Sequence, residues 1–63
     1  LAIDEALTLF AEEDAEAAQL VKLRFYAGLS VDEAADVMSM ARATAYRTWS
    51  YAKAWLRTKL GET

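Results

Sequence analysis

Sixty-three residues, 56% of them hydrophobic, with a net charge of −3, make one domain at most, and a chain this short buries only about 60% of its unfolded surface. There is no cysteine and no histidine, which excludes disulfides, thiolate zinc sites, imidazole ligands and histidine general bases. No apolar run approaches the ~18 residues of a membrane helix and no signal peptide is visible, so stability must come from packed helices and the expected location is the cytoplasm.

The chain begins at Leu1 rather than methionine, and it reads as a fragment or excised domain. Its first helix is expected over about 2–11. Ile3, Ala6, Leu7 and Phe10 recur at 3–4 residue spacing on one face, and Asp4 and Glu5 sit in the first turn, where the helix dipole favours negative charge. Glu12, Glu13 and Asp14 interrupt that pattern, and Asp14 is suited to N-cap the next helix. The second helix is expected over about 15–27, with Ala17, Leu20, Val21, Leu23 and Phe25 as its apolar surface. Gly28 ends it, since glycine takes the left-handed conformation without steric cost.

The third helix is expected over about 30–38. Ser30 and Glu33 have capping-box spacing, so each side chain can satisfy the other's free backbone N–H. Ala34, Val37 and Met38 are expected to pack inward. Ser39, Met40 and Ala41 form a bend. The fourth helix follows over about 42–60, stopped by Gly61, with Ala45, Trp49, Ala52 and Leu56 as one inward stripe. No strand is credible, so the expected fold is all-α: a compact four-helix domain with a C-terminal helix-turn-helix and a long recognition helix.

Charge is polarised along this order. Residues 1–37 hold nine acids against two bases, a balance of −7; residues 38–63 hold five bases against one acid, a balance of +4. One end suits phosphate and the other is repelled by it, although ordinary solvated surface charge accounts for the same numbers. Catalysis finds little support. Without histidine or cysteine it would need carboxylates, lysine or tyrosine, and the acids are scattered over helix starts and solvent faces. Glu12, Glu13 and Asp14 are better explained as a helix-initiating acidic turn than as a metal cluster. No glycine-rich phosphate loop is present, and no cofactor is expected.

From Gly28 onward the layout is that of a helix-turn-helix, in which the second helix lies in the DNA major groove. It requires a small residue where the helices approach, here Ala35, then a tight bend, then an amphipathic helix whose free face carries donors. A plain helical hairpin has the same outline. The run LRFYAGLSVDEAADVMSMARATAYRTW resembles region four of bacterial RNA polymerase sigma factors, especially the small extracytoplasmic-function type. The resemblance is carried by Leu23-Arg24-Phe25, Gly28-Leu29-Ser30, Glu33-Ala34-Ala35 and Thr44-Ala45. Trp49 followed by Ala52-Lys53-Ala54-Trp55-Leu56 is similar to one subgroup. The sequence departs from that family where its bend usually holds Gly and Ser, here Ser39 and Ala41, where its usual Val is Ala45, and at Thr48, where a basic residue often stands.

The resemblance implies recognition of the upstream promoter element, near minus thirty-five, and contact with the flap of the RNA polymerase core. By position in the family, Arg47, Ser50 and Tyr51 are the candidates for base edges. Arg42, Thr44, Tyr46 and Lys53 are the candidates for phosphate. Other roles are open to some of these: Tyr51 covering the core edge, Lys53 and Arg57 simply solvated, Arg24 paired with an acid of the third helix. Trp49 and Trp55 are expected to pack rather than stack on bases. A monomer is expected, with no membrane contact. Two alternatives stay open: a LuxR-type response-regulator DNA-binding domain, and a helical protein-interaction module that docks on polymerase or an anti-sigma factor with little DNA affinity alone.

Overall fold

Apolar periodicity and local capping account for most of the architecture. The structure, a computed structural model, describes residues 2–61. They form four helices, α1 (Ile3–Glu13), α2 (Ala15–Phe25), α3 (Val31–Val37) and α4 (Arg42–Gly61), and no strand among the described residues. Asp14 makes the first corner. Its extended backbone breaks the helix, its N–H donates to the Phe10 carbonyl at 2.8 Å, and its Oδ1 accepts from the Ala17 N–H at 3.0 Å. One residue therefore closes α1 and opens α2. The acids Glu12 and Glu13 end the apolar pattern without ending the helix, so α1 extends two residues past Ala11.

α2 stops earlier than Gly28 suggests. Tyr26 is its C-cap, Gly28 takes φ 71°, and the Leu29 N–H reaches back to the Leu23 carbonyl at 3.1 Å. The left-handed glycine belongs to a wider turn that starts two residues before it. At α3 the capping box forms in full: Ser30 Oγ accepts from the Glu33 N–H at 3.1 Å, and Glu33 Oε1 accepts from the Ser30 N–H at 2.9 Å. The Ser30 backbone N–H, and after it the Ser30 side chain, favours the ionised form and holds the Glu33 carboxyl below the usual carboxylate range. α3 ends in a Schellman motif. The Met40 N–H bonds the Ala35 carbonyl at 2.8 Å and the Ser39 N–H bonds the Asp36 carbonyl at 3.2 Å, with Ser39 left-handed at φ 53°. A serine thus occupies the conformation for which the resembling family uses glycine.

The core has two parts. Ala6, Leu7, Phe10, Ala17, Ala18, Val21, Ala52 and Leu56 join α1, α2 and the second half of α4. Val31, Ala35 and Ala45 join α3 to the first half of α4. Trp49 packs against both. Seven of the thirteen buried core residues are alanine, so helices approach closely and the few large side chains fill most of the volume. Two expected core positions lie outside. Val37 is 63% exposed, because it stands about a third of a turn round α3 from the arc of Val31, Ala34 and Ala35. Phe25 is 57% exposed at the last residue of α2, where a cleft of about 160 Å³ lined by Arg24, Phe25 and Trp49 remains open. Trp49 itself is half-buried rather than enclosed. α4 runs through Gly61, so the glycine expected to stop the helix lies inside it, as its last described residue.

Candidate nucleic-acid interface

The bend after α3 sets where α4 points. Ala35, buried to 1%, lets the two helices meet through the small cluster of Val31, Ala35 and Ala45, and the Schellman bonds fix the chain between them. Ala41 supplies the first carbonyl of α4 to the Ala45 N–H at 2.9 Å, but alanine has no side-chain oxygen for the free N–H groups of the first turn. With Ala45, Ala52 and Leu56 buried, helical geometry places Arg47 on the opposite side.

Arg47 is exposed there, and its Nη2 donates to Thr44 Oγ1 at 3.5 Å. Ser50 is exposed one turn on, and Ala43 and Ala54 flank the same line with no bulk. Arg42, Tyr46 and Lys53 fall together on one flank. Arg42 Nε lies 3.9 Å from Asp32 Oδ1. Tyr46 is 51% exposed, and Asp32 beside it raises the phenol's pKa, as acceptor of its hydroxyl first and as a negative charge second. Lys53 Nζ is 5.7 Å from the centroid of the Trp49 ring. Thr44, half-buried, lies on the other flank. So does Tyr51. Its ring meets Phe10 of α1 at 5.5 Å between centroids, while 46% of the residue stays in solvent.

Two neighbours of this surface were not legible as such. Arg24 pairs with no acid of α3. Its Nη1 donates to the Leu29 carbonyl at 2.8 Å and its guanidinium lies 4.8 Å from the Trp49 ring centroid, while its buried Nε has no hydrogen-bond partner. It closes the turn before α3 and props Trp49. Asp32 reads locally as a first-turn acid of α3, and only the bend brings it to Arg42 and Tyr46. In sequence, an acid ten residues before an arginine carries no signal of contact. The acids at the end of α1 gather no ion site: Asp14 is engaged as a cap, and no described group of three or more acids is placed to hold a metal. Nor is any described helix long and apolar enough to cross a membrane.

A short capped helix, a Schellman bend and a long helix with cations on its free side amount to a helix-turn-helix module, here mounted on a two-helix support. That combination is the region-four class of transcription-initiation factor. The chain belongs to the ECF sigma factor family, whose model matches residues 1–62. No curated protein and no solved structure matches it. The family consists of transcription factors and is not a class of enzymes.

Proposed function

We propose that the chain is the part of its sigma factor that recognises the upstream promoter element near minus thirty-five and docks on the flap of the RNA polymerase core. One observation carries the promoter half. Arg47 stands opposite the buried stripe of α4, and Ala43, Ser50 and Ala54 around it are small enough for the helix backbone to approach a groove floor. The major groove admits a helix, and arginine pairs with two acceptors of guanine. Ser50 and Tyr51 are the further base contacts; Arg42, Thr44, Tyr46 and Lys53 hold phosphate. The docking half is supported by Phe25, Tyr26 and Val37, large apolar or aromatic side chains exposed at the ends of α2 and α3. The same exposure favours the second reading, a module that works chiefly by protein contact, to polymerase or to an anti-sigma factor.

The test uses the full-length factor with polymerase. Arg47→Ala should flatten the preference at one position of the element, where an arginine–guanine pair discriminates by ~1–3 kcal/mol. Arg42→Ala and Lys53→Ala should weaken binding to all sequences alike and each lower the salt slope by about one. Preference left intact by Arg47→Ala but altered by Lys53→Ala would mean that α4 is rotated in the groove. Binding that does not fall with salt would favour the protein-contact reading.

A further inference from the structure

One of the side chains assigned to phosphate, Arg42, already faces an anion. The Schellman bend folds the first turn of α3 back onto the first turns of α4 and brings Asp32 beside Arg42, with 3.9 Å from Oδ1 to Nε; the same carboxylate raises the pKa of the Tyr46 phenol. A carboxylate paired with a guanidinium presents what a nucleic-acid backbone presents, namely an anionic oxygen facing the cation. The other cations of this surface differ. Arg47 contacts a threonine hydroxyl and Lys53 an indole ring, and neither has an acidic partner among the described residues.

We propose that Asp32 is an intramolecular stand-in for a DNA phosphate: it occupies Arg42 in the free chain, and the DNA backbone displaces it on binding. The proposal rests on the reading that Arg42 and Tyr46 face the backbone. The pair can be displaced. Its side chains are 71% and 44% exposed, its separation is long, and exposed pairs of this kind are weak. A phosphate adds the release of condensed counterions, which a carboxylate of the same chain cannot supply. The consequence falls equally on every DNA sequence. Asp32 lowers the affinity that the cations alone would give and leaves base discrimination by Arg47 untouched, so encounters with wrong sequences end sooner.

The experiment measures binding of the 63-residue chain to a mixed-sequence DNA duplex by fluorescence anisotropy over a salt series that begins low, where phosphate contacts are strongest. Asp32→Asn should tighten binding about two- to fivefold, the range of one exposed charge pair, and steepen the salt slope. Asp36→Asn makes the same charge change on the same helix at an exposed acid with no cation partner among the described residues, and should do less. In an Arg42→Ala background the gain from Asp32→Asn should shrink. Asp32→Ser repeats the test with a residue equally at home in a first turn. Equal gains from Asp32→Asn and Asp36→Asn, weaker binding by Asp32→Asn, or a gain that persists without Arg42 would each overturn the proposal. If neither Arg42→Ala nor Tyr46→Phe weakens the unmodified chain, the phosphate reading fails and takes the proposal with it. If they do weaken it and Asp32→Asn gives no gain, the proposal alone fails.

Discussion

Trp49 is the residue on which the two core clusters converge. One side of it meets the α1–α2 cluster and the other meets Val31, Ala35 and Ala45, with the Arg24 guanidinium 4.8 Å from its ring centroid. A cation at that distance from an indole face is attracted by the ring's quadrupole. Truncating the residue removes packing from both clusters at once and strips Arg24 of its platform. Trp49→Ala should therefore cost about 3 kcal/mol, the lower end for a buried aromatic because part of the ring is already in water. That approaches the ~3–5 kcal/mol that the core of so small a domain supplies. A thermal or urea melt checks it, and a midpoint within a few degrees of the parent would show that the ring contributes only at the surface. The inward placement of Trp49 was legible from its spacing to Ala45, Ala52 and Leu56. The company of Arg24 was not, because the turn that folds Arg24 back depends on a carbonyl, at Leu29, that every sequence possesses.

At the scale of the element, the bend between α3 and α4 is under-equipped for its conformation. Ser39 is left-handed at φ 53°, a region that costs an L-residue roughly 1–2 kcal/mol and glycine nothing steric, and Ala41 leaves the first turn of α4 without a side-chain cap. Ser39→Gly should raise stability by about 0.5–1 kcal/mol, since relief of the left-handed strain is partly offset by the greater chain entropy of glycine. Ala41→Ser should add about 1 kcal/mol by capping a free N–H. The two changes act at different bonds, so the denaturation midpoint of the double variant should rise by nearly their sum. No rise for Ala41→Ser would mean that α4 does not begin at Arg42. Capping was the part of the elements most open to reading from the sequence: Asp14, Ser30 and Glu33 are local signals whose side-chain bonds reach three residues along the chain. Helix ends were less so. Glu12 and Glu13 are good helix formers that happen to be polar, so the apolar pattern ended before α1 did, and Gly28 marked the turn after α2 rather than the last residue of the helix.

Across the whole molecule, α4 serves two clusters along one rod. Its first half packs on α3 and, together with Lys53, bears the candidate DNA contacts. Its second half, through Ala52, Trp55 and Leu56, packs on α1 and α2. A helix of twenty residues spans about 30 Å, enough for both tasks, and it leaves no flexible joint between the recognition surface and its support. Each cluster is too small to stand alone, so the chain should unfold in a single step. Calorimetric and van't Hoff enthalpies should agree, and loss of helicity should follow the same curve. Two separable transitions would show that the helix-turn-helix folds independently of α1 and α2. The all-α class and the four-element order followed from periodicity in the sequence. The pairings that decide the surface did not, since Asp32 with Arg42, Tyr51 with Phe10 and Arg24 with Leu29 are made by the crossing of helices. Tyr51 shows the limit best: its spacing gave no sign of Phe10, whose ring it meets at 5.5 Å between centroids while 46% of the residue stays in solvent.

The two tryptophans of the chain both ride on α4, yet they look out on different company. Trp49 has the Lys53 ammonium 5.7 Å from its ring centroid and borders the open cleft beside Phe25; Trp55 leans on Phe10 with 4.7 Å between centroids. Lys59 Nζ lies 5.7 Å from the Trp55 centroid as well, so the rod carries two native optical gauges that both answer to nearby charge, the first at the cationic flank and the second also to movement of α1. Emission from a Trp55→Phe variant reports the first alone, and emission from Trp49→Phe the second. Recorded in a stopped-flow mixer, the order in which the two signals change would give the order in which the cationic flank and the α1 contact respond to binding, with no dye attached to the molecule.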